Sequence, residues 1–158
     1  GYPGNLTVQV TFSVTGKKLR IAYKAVTDKD CYVNLTHHPY FNLNPSKPAI
    51  SGHKLKLYTD KFLKTNDLIP DGTFIAASGD YDFTQPRKLE HVIENCGGLD
   101  DCFIFDNADQ LVMMAELTEE ETGIGLYVKS DYPGLQVYTG RFLDVNGGKE
   151  GKHYGAFS

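Results

Sequence analysis

Two short segments carry the residue types that acid–base chemistry on a small bound ligand requires. The segment Asn34–Leu43 contains the adjacent imidazoles of His37 and His38, followed by two aromatic side chains. Histidine is suited to proton transfer because its ordinary pKa lies near neutrality. The segment Gly97–Phe103 offers the carboxylate of Asp100 shortly after two glycines, which let the backbone approach a ligand closely. Together the segments predict a site that combines an imidazole with a carboxylate.

The two histidines are predicted to differ in role. Apolar and polar residues alternate over residues 31–36, which predicts a strand that continues through the histidines. Neighbouring strand residues point to opposite faces, so His37 and His38 are not expected to bind one metal ion together. His38 continues the polar face and is the candidate for ligand contact. A structural histidine bonded to nearby backbone is the alternative.

A third segment, residues 133–140, places Gln136 and Tyr138 on one face of a strand. An amide beside an aromatic ring suits a sugar, since it offers hydrogen bonds and an apolar platform together. An ordinary exposed strand face is an equally good interpretation of this segment taken by itself. Asp100 is likewise either a ligand contact or a charged residue at the start of a strand, with Asp101 pointing to the opposite face.

Short strands are expected to position these segments, because period-two alternation dominates the chain. An antiparallel hairpin is predicted over residues 5–26, and a turn is predicted at 69–73 from its Pro-Asp-Gly sequence. Other extended segments are predicted at residues 55–57, 80–83, 102–105, 111–117, 123–130 and 135–140, with one short helix at 88–95. Many short strands at this spacing indicate an all-β sandwich or barrel.

Composition limits the functions that the chain can have. Its 158 residues suffice for one domain with a hydrophobic core, and 41% of them are hydrophobic. The net charge is −4 and no basic block occurs, which argues against a nucleic-acid partner. No apolar run approaches the roughly 20 residues that a membrane-spanning helix needs, so no membrane partner is expected.

Three cysteines, Cys31, Cys96 and Cys102, occur without a Cys-x-x-Cys spacing. An odd number in this arrangement argues against both a zinc site and a disulfide framework, and reduced thiols predict a cytoplasmic protein. The acidic run at residues 119–121 is interpreted as a solvated hairpin tip, because three adjacent carboxylates on a turn diverge. No metal site is predicted.

Three segments, taken in order, resemble the galactose mutarotase (aldose 1-epimerase) family. Residues 34–43 are similar to the family's Asn-Leu-Thr-Asn-His-Ser-Tyr-Phe-Asn-Leu signature, and residues 97–103 to its Gly-Gly-Tyr-Asp-His-x-Phe segment. Residues 133–144 resemble its Pro-Gly-x-Gln-x-Tyr-Thr-Gly-Asn-Phe-Leu-Asp segment. The resemblance covers the central to C-terminal portion of the family's domain. It implies an antiparallel β-supersandwich and an aldose 1-epimerase that interconverts the α and β anomers of free hexoses such as galactose and glucose.

The resemblance also implies roles for individual residues. His38 would be the general acid that protonates the sugar ring oxygen. Asp100 would bond sugar hydroxyls, and Gln136 would contact the ring substituents. Tyr40 would line the sugar pocket, and His37 is counted among the substrate contacts. No cofactor or metal is implied.

The sequence departs from the family pattern at four of these positions. His37 stands where the family has Asn, and Pro39 stands where it has Ser or Thr. Asp101 replaces a His of the family pattern, and Arg141 replaces an Asn.

The family pattern also implies residues that residues 1–158 do not supply. Its first histidine and its arginine would precede Gly1, and its catalytic glutamate, the general base, would follow Ser158. Glu150 does not match the glutamate motif and is not assigned as the base. Residues 1–158 are therefore expected to be part of a single galactose mutarotase-like domain, fused to or paired with the missing parts. Without the base, this chain alone is expected to be inactive.

Two alternatives to an epimerase remain at this point. A non-catalytic carbohydrate-binding module, or an inactive fragment, would keep the sugar pocket and lack the base. A protein that uses its sheet surface to bind a partner would bind no sugar. The sequence does not decide between galactose and glucose as the preferred hexose.

Overall fold

The fold is nearly all-β with antiparallel sheets, as the alternation predicts. The computed structural model of the protein describes residues 2–107, 109–148 and 151–158, so Glu150 lies outside the described residues. The chain divides into two compact units, Gly1–Tyr40 and Phe41–Ser158.

The first unit is built on one antiparallel hairpin, which confirms the hairpin predicted over residues 5–26. Its strands β1 (Leu6–Thr15) and β2 (Lys18–Thr27) are joined by a two-residue turn whose first residue is Gly16, at a φ of 58°. A positive φ at this position suits the tight turns that match strand twist. The register pairs Leu6 with Thr27 and Thr15 with Lys18. A two-stranded ribbon has no second layer of its own, so it is at best marginally stable by itself.

The strand predicted over residues 31–36 is wrong. Residues 31–40 lie outside the strands of the structure. Alternation describes which side chains share a face, but a strand also requires a partner for its ladder of hydrogen bonds. Pro39 further removes one backbone donor from this segment. The assignment of His37 and His38 to opposite strand faces therefore has no basis in the structure.

The second unit contains two four-stranded sheets, and every pairing in them is antiparallel. The first sheet has the order β10-β7-β4-β5, and the second has the order β6-β3-β8-β9. The strands are β3 (Lys54–Leu57), β4 (Lys61–Asn66), β5 (Ile69–Ala76), β6 (Arg87–Lys88), β7 (Asp100–Ile104), β8 (Val112–Thr118), β9 (Gly125–Ser130) and β10 (Gly134–Tyr138).

The core of this unit takes side chains from both sheets and from the helix α1 (Glu90–Cys96). Phe62 of β4 is stacked on Tyr81, with ring centroids 5.5 Å apart, and lies 5.6 Å from Phe103 of β7. Aromatic pairs of this kind stabilise by about 0.5–1.5 kcal/mol beyond their buried area. The cluster therefore fixes the position of β7, whose first residue is Asp100.

The turn predicted at residues 69–73 is wrong, because these residues lie in β5. The chain reverses at Asp67 and Leu68, which have φ values of 49° and 66° and join β4 to β5. Pro70 is tolerated because β5 is the edge strand of its sheet, where a missing backbone donor costs little. Strand β4 itself was not predicted from the sequence.

Residues 79–81 form a short 3-10 helix, so the extended segment predicted at 80–83 is wrong. The Asp80 carboxylate accepts a bond from the Arg87 guanidinium and, at 2.8 Å, from Nδ2 of Asn95, which holds this turn against the second sheet and α1. The helix predicted at 88–95 is confirmed as the seven-residue α1, which ends at Gly97 with a φ of 73°. No helix in the described part of the chain is long and apolar enough to cross a membrane.

The acidic run forms the tip between β8 and β9, as predicted, and its carboxylates diverge. Glu119 accepts the backbone N–H of Thr122 at 2.7 Å, while Glu120 and Glu121 pair with different lysines. A solvated tip explains Glu120 and Glu121, whose side chains are exposed. The prediction is wrong for Glu119, which is only 7% exposed because its carboxylate turns back to the backbone of Thr122.

A buried histidine attaches the loop before β3 to the core. His53 is 1% exposed, and its Nε2 accepts the backbone N–H of Leu43 at 2.8 Å. An accepting ring nitrogen requires the neutral imidazole. Burial lowers the pKa of His53, against the opposing influence of the Glu119 charge.

The lowered pKa of His53 predicts acid-sensitive stability. A group whose folded pKa lies below its unfolded value stabilises the fold fully above the unfolded pKa and loses that contribution as pH falls. We expect His53→Gln, which keeps an acceptor, to reduce the loss of Tm between about pH 7.5 and about pH 5.5, because histidine titrates in this window. Thermal denaturation of the complete encoded protein measures this. His91→Gln, at an exposed position on α1, is the control, and equal pH dependence in both variants would contradict the expectation.

A glycine between α1 and β7 permits the close approach of the chain to Thr139, which directly follows β10. Gly98 has a φ of 89°, and a Cβ there would overlap Thr139 Oγ1 and lie 2.8 Å from the Phe157 ring. We expect Gly98→Ala to lower the free energy of unfolding by about 2 kcal/mol or more, since strain and overpacking add. Urea denaturation tests this. Gly52→Ala, where a Cβ meets nothing within 4 Å, should change stability by less than about 0.5 kcal/mol, and equal losses would sink the argument.

Candidate functional site

Two of the predicted sugar contacts are hydrogen-bonded to each other on one face of the β7–β10 pair. The register places Asp100 opposite Tyr138 and Cys102 opposite Gln136, so these four side chains share a face. Nε2 of Gln136 donates to Oδ1 of Asp100 at 3.0 Å across the diagonal. The structure thus brings together residues that are 36 positions apart in sequence.

This bond determines what the pair presents to a ligand. The Gln136 amide donates through nitrogen, so its Oε1 is the atom that can accept from a ligand. The second oxygen of Asp100 is a further acceptor beside it. Two acceptors on a sheet face suit a molecule that carries neighbouring hydroxyl donors.

The start of β7 and the end of β10 are tied together by Thr139, which is 2% exposed. Its Oγ1 accepts the backbone N–H of Leu99 at 2.9 Å, and its own N–H donates to the Leu99 carbonyl at 3.0 Å. Beyond it, the Tyr138 hydroxyl accepts the backbone N–H of Phe142 at 2.8 Å. Sequence reasoning missed Thr139 as a positioning residue. Its position at the end of the apolar face of the strand was the sequence signal that could have identified it.

The glycines before Asp100 have packing roles in the structure. Gly97 ends α1 in the left-handed conformation, and its N–H donates to the carbonyl of Ile93. Gly98 faces Thr139 so closely that no side chain fits. These two glycines therefore have structural roles, as the end of α1 and as the point of close approach to Thr139.

Asp101 lies on the face opposite Asp100, as the parity argument predicts. Its Oδ2 accepts the backbone N–H of Asp100 at 3.1 Å. Burial raises the pKa of Asp101; the amide of Asp100 lowers it, the Asp100 carboxylate raises it and the Arg141 guanidinium lowers it. Burial likewise raises the pKa of Tyr81, and the negative charge of Asp101 adds to that rise.

The other predicted site residues belong to the unit Gly1–Tyr40. The His38 ring lies 5.0 Å from the Tyr40 ring, centroid to centroid, at an interplanar angle of 40°. The His37 ring instead meets Phe12 of β1 edge-on, at 5.9 Å. The histidines therefore have different partners, although they are not on a strand. Both are exposed to solvent.

Two cavities of the second unit lie away from Asp100 and Gln136. One, of about 330 Å³, is lined by His53, the acidic tip and the loop at residues 44–52. The other, of about 350 Å³, is lined by residues around Thr59, Asp106 and Met113. The Asp100–Gln136 pair lies on a sheet face and lines neither cavity. Within the described residues, no group of three or more His, Cys, Asp and Glu side chains could hold a metal ion.

Comparison with known proteins connects these features to one family. The family model for aldose 1-epimerase matches residues 1–157. The chain is 36% identical to galactose mutarotase of Sus scrofa over 149 residues, covering 91% of the chain and 44% of that protein. It is 33% identical to galactose mutarotase of Homo sapiens over 165 residues, covering 98% and 48%. It is also 33% identical to aldose 1-epimerase of Haemophilus influenzae over 168 residues, covering 100% and 49%.

The fold agrees with a solved member of the same group. The crystal structure of a GalM/aldose epimerase homologue from C. elegans superposes with a TM-score of 0.86 at 26% identity, covering 99% of this chain and 49% of that one. The chain thus spans about half the length of the curated relatives it matches. The match of a family model to almost all of the chain, together with relatives above 30% identity, makes this chain a member of the aldose 1-epimerase family.

Proposed function

We propose that the protein containing these residues is an aldose 1-epimerase that interconverts the α and β anomers of free hexoses such as galactose and glucose. The observation that carries the proposal is the hydrogen bond between Gln136 and Asp100 on one face of the β7–β10 pair. It joins two residues of separate family-like segments into one set of acceptors for sugar hydroxyls. Family membership supplies the reaction class.

The proposed reaction moves two protons and changes no oxidation state. A base removes the proton of the C1 hydroxyl while His38 donates a proton to the ring oxygen, and the bond between C1 and the ring oxygen breaks. The resulting open-chain aldehyde rotates about its C1–C2 bond. Closure on the opposite carbonyl face returns both protons and gives the other anomer. No metal or cofactor takes part in these steps.

The remaining roles follow from the side chains. Asp100 and Gln136 accept bonds from sugar hydroxyls and orient the ring. Tyr40, whose ring lies against His38, forms an apolar wall beside the acid, and His37 is a further substrate contact. No residue of 1–158 is assigned as the base, which we propose to be a glutamate in another part of the same domain.

Without an assigned general base, residues 1–158 expressed by themselves are expected to have a higher activation barrier for mutarotation. A positioned acid or base contributes about 100- to 10,000-fold in rate, which corresponds to about 3–5 kcal/mol of barrier. We propose that residues 1–158 do not accelerate mutarotation alone. The three cysteines are free thiols, which supports the proposal of a reducing, cytoplasmic location.

Loss of the proposed acid should remove most of the catalysis. We expect His38→Ala to lower kcat by about 100- to 10,000-fold in the complete encoded protein, because proton transfer to the ring oxygen is lost. Polarimetry of freshly dissolved α-galactose measures the rate. His91→Ala, on the exposed face of α1, is the matched control and should leave the rate unchanged.

The same assay separates the proposal from its alternatives. Saturable galactose binding without any acceleration by the unaltered protein would favour a non-catalytic carbohydrate-binding module. A mutarotation rate equal to that in buffer, with no galactose binding, would overturn both the epimerase hypothesis and the carbohydrate-binding hypothesis. It would favour a protein that binds a partner through its sheet surface.

The sugar contacts should affect binding more than the chemical step. We expect Asp100→Asn to raise KM by about 10- to 100-fold, because a hydrogen bond to a charged group contributes about 1.5–3 kcal/mol. Steady-state kinetics of the complete protein measures this. Asp106→Asn, at an exposed carboxylate just beyond β7, is the control. A KM that is the same in both variants would contradict the role of Asp100.

A further inference from the structure

Asp101 occupies an unusual position for a carboxylate. Strand alternation places it in the same row as Leu99 and Phe103, both of which are 0% exposed. In the ladder it lies opposite Val137 of β10. Three of these four positions are apolar, so an apolar side chain would extend the core at the fourth.

The compensation that Asp101 receives is incomplete. Its hydrogen bond is accepted from the backbone N–H of Asp100, and the charges that act on it are those of Asp100 and Arg141. The Tyr81 hydroxyl, itself close to Cys96, is a further titratable group on which the charge of Asp101 acts. Burial outweighs the favourable partners, since the pKa of Asp101 is raised overall. Since a half-buried carboxylate lowers stability, we look for a role of Asp101 other than packing.

Arg141 is a second charged residue whose burial is incompletely compensated by hydrogen bonds. Its Nε is buried without a hydrogen-bond partner, and its guanidinium lies 4.6 Å over the Phe142 ring. Asp101 and Arg141 are also two of the four positions at which the sequence departs from the family pattern. The departing residues carry opposite charges that act on each other.

The contact of Asp101 points to the reason. Its carboxylate accepts a hydrogen bond from the backbone N–H of Asp100, and the carboxylate of Asp100 in turn accepts a hydrogen bond from the Gln136 amide. We propose that Asp101 is a positioning residue for Asp100: by holding the Asp100 amide from the core side, with Arg141 as its counter-charge, it directs the Asp100 carboxylate toward Gln136 and the hexose. The proposal rests on the proposed function for its second half only, because the Asp100–Gln136 bond exists without a ligand.

The test compares Asp101→Ala, which removes the acceptor, with Asp101→Asn, which keeps a carbonyl oxygen in its place. Both are made in the complete encoded protein, with Asp106→Asn as the control at an exposed carboxylate. The first readout is the side-chain amide cross peak of Gln136 in a ¹H–¹⁵N NMR spectrum, identified by its absence in Gln136→Leu. The second is the galactose Kd, measured by titration calorimetry.

We expect Asp101→Ala to shift the Gln136 cross peak and to raise Kd by about three- to tenfold, the scale of one hydrogen bond. Asp101→Asn should restore the cross peak and most of the affinity. A Gln136 cross peak that stays at the wild-type position in Asp101→Ala would overturn the proposal. So would an equal shift in Asp101→Asn, which would assign the effect to charge rather than to the hydrogen bond.

The cross peak also separates the two proposals. If no variant binds galactose, the wild type included, the proposed function fails, and the cross peak still decides whether Asp101 positions Asp100. If Asp101→Ala does not fold, the more conservative Asp101→Ser provides the same comparison. Its hydroxyl is too short to reach the Asp100 amide in the same way, so the same cross-peak shift is expected and an unmoved peak overturns the proposal.

Discussion

The pairing of β7 with β10 is the constraint on which the candidate sugar site depends. Its register sets Asp100 and Gln136 on one face within hydrogen-bonding distance, and the reciprocal bonds between Leu99 and Thr139 hold the end of that register in place. Gly98 is required there because any Cβ would overlap Thr139. A slip of one residue would turn every side chain of β7 to the other face and separate the acceptors.

The two faces of β7 have different physical demands. The outer face carries polar side chains that can exchange water for a ligand, whereas the inner face joins the aromatic cluster of Phe62, Tyr81 and Phe103. Asp101 violates the inner pattern, and burial raises its pKa accordingly. Under the role proposed for Asp101, stability would be lost at this position in favour of site geometry, and costly groups of this kind are common at functional sites.

Family membership and local structure contribute different parts of the functional argument. The match over residues 1–157 establishes the aldose 1-epimerase family, and the chain spans about half the length of its relatives. The structure adds the contacts of individual side chains: Gln136 on Asp100, Tyr40 against His38, and His37 against Phe12. Acid catalysis by His38 and hexose binding by Asp100 and Gln136 remain proposals that kinetics and binding decide.

The local pattern of residues predicts the all-β class, the hairpin at β1 and β2, the position of the acidic tip and the opposite orientation of Asp100 and Asp101, because period two is a local property of the chain. It misplaced the turn now found at Asp67 and Leu68 and predicted a strand through residues 31–36 that has no partner. The contact of Gln136 with Asp100 and the bonds by which Thr139 closes the strand pair are visible only in the folded chain. Strand partners are chosen by burial and hydrogen bonding between distant segments, and no local pattern encodes that choice.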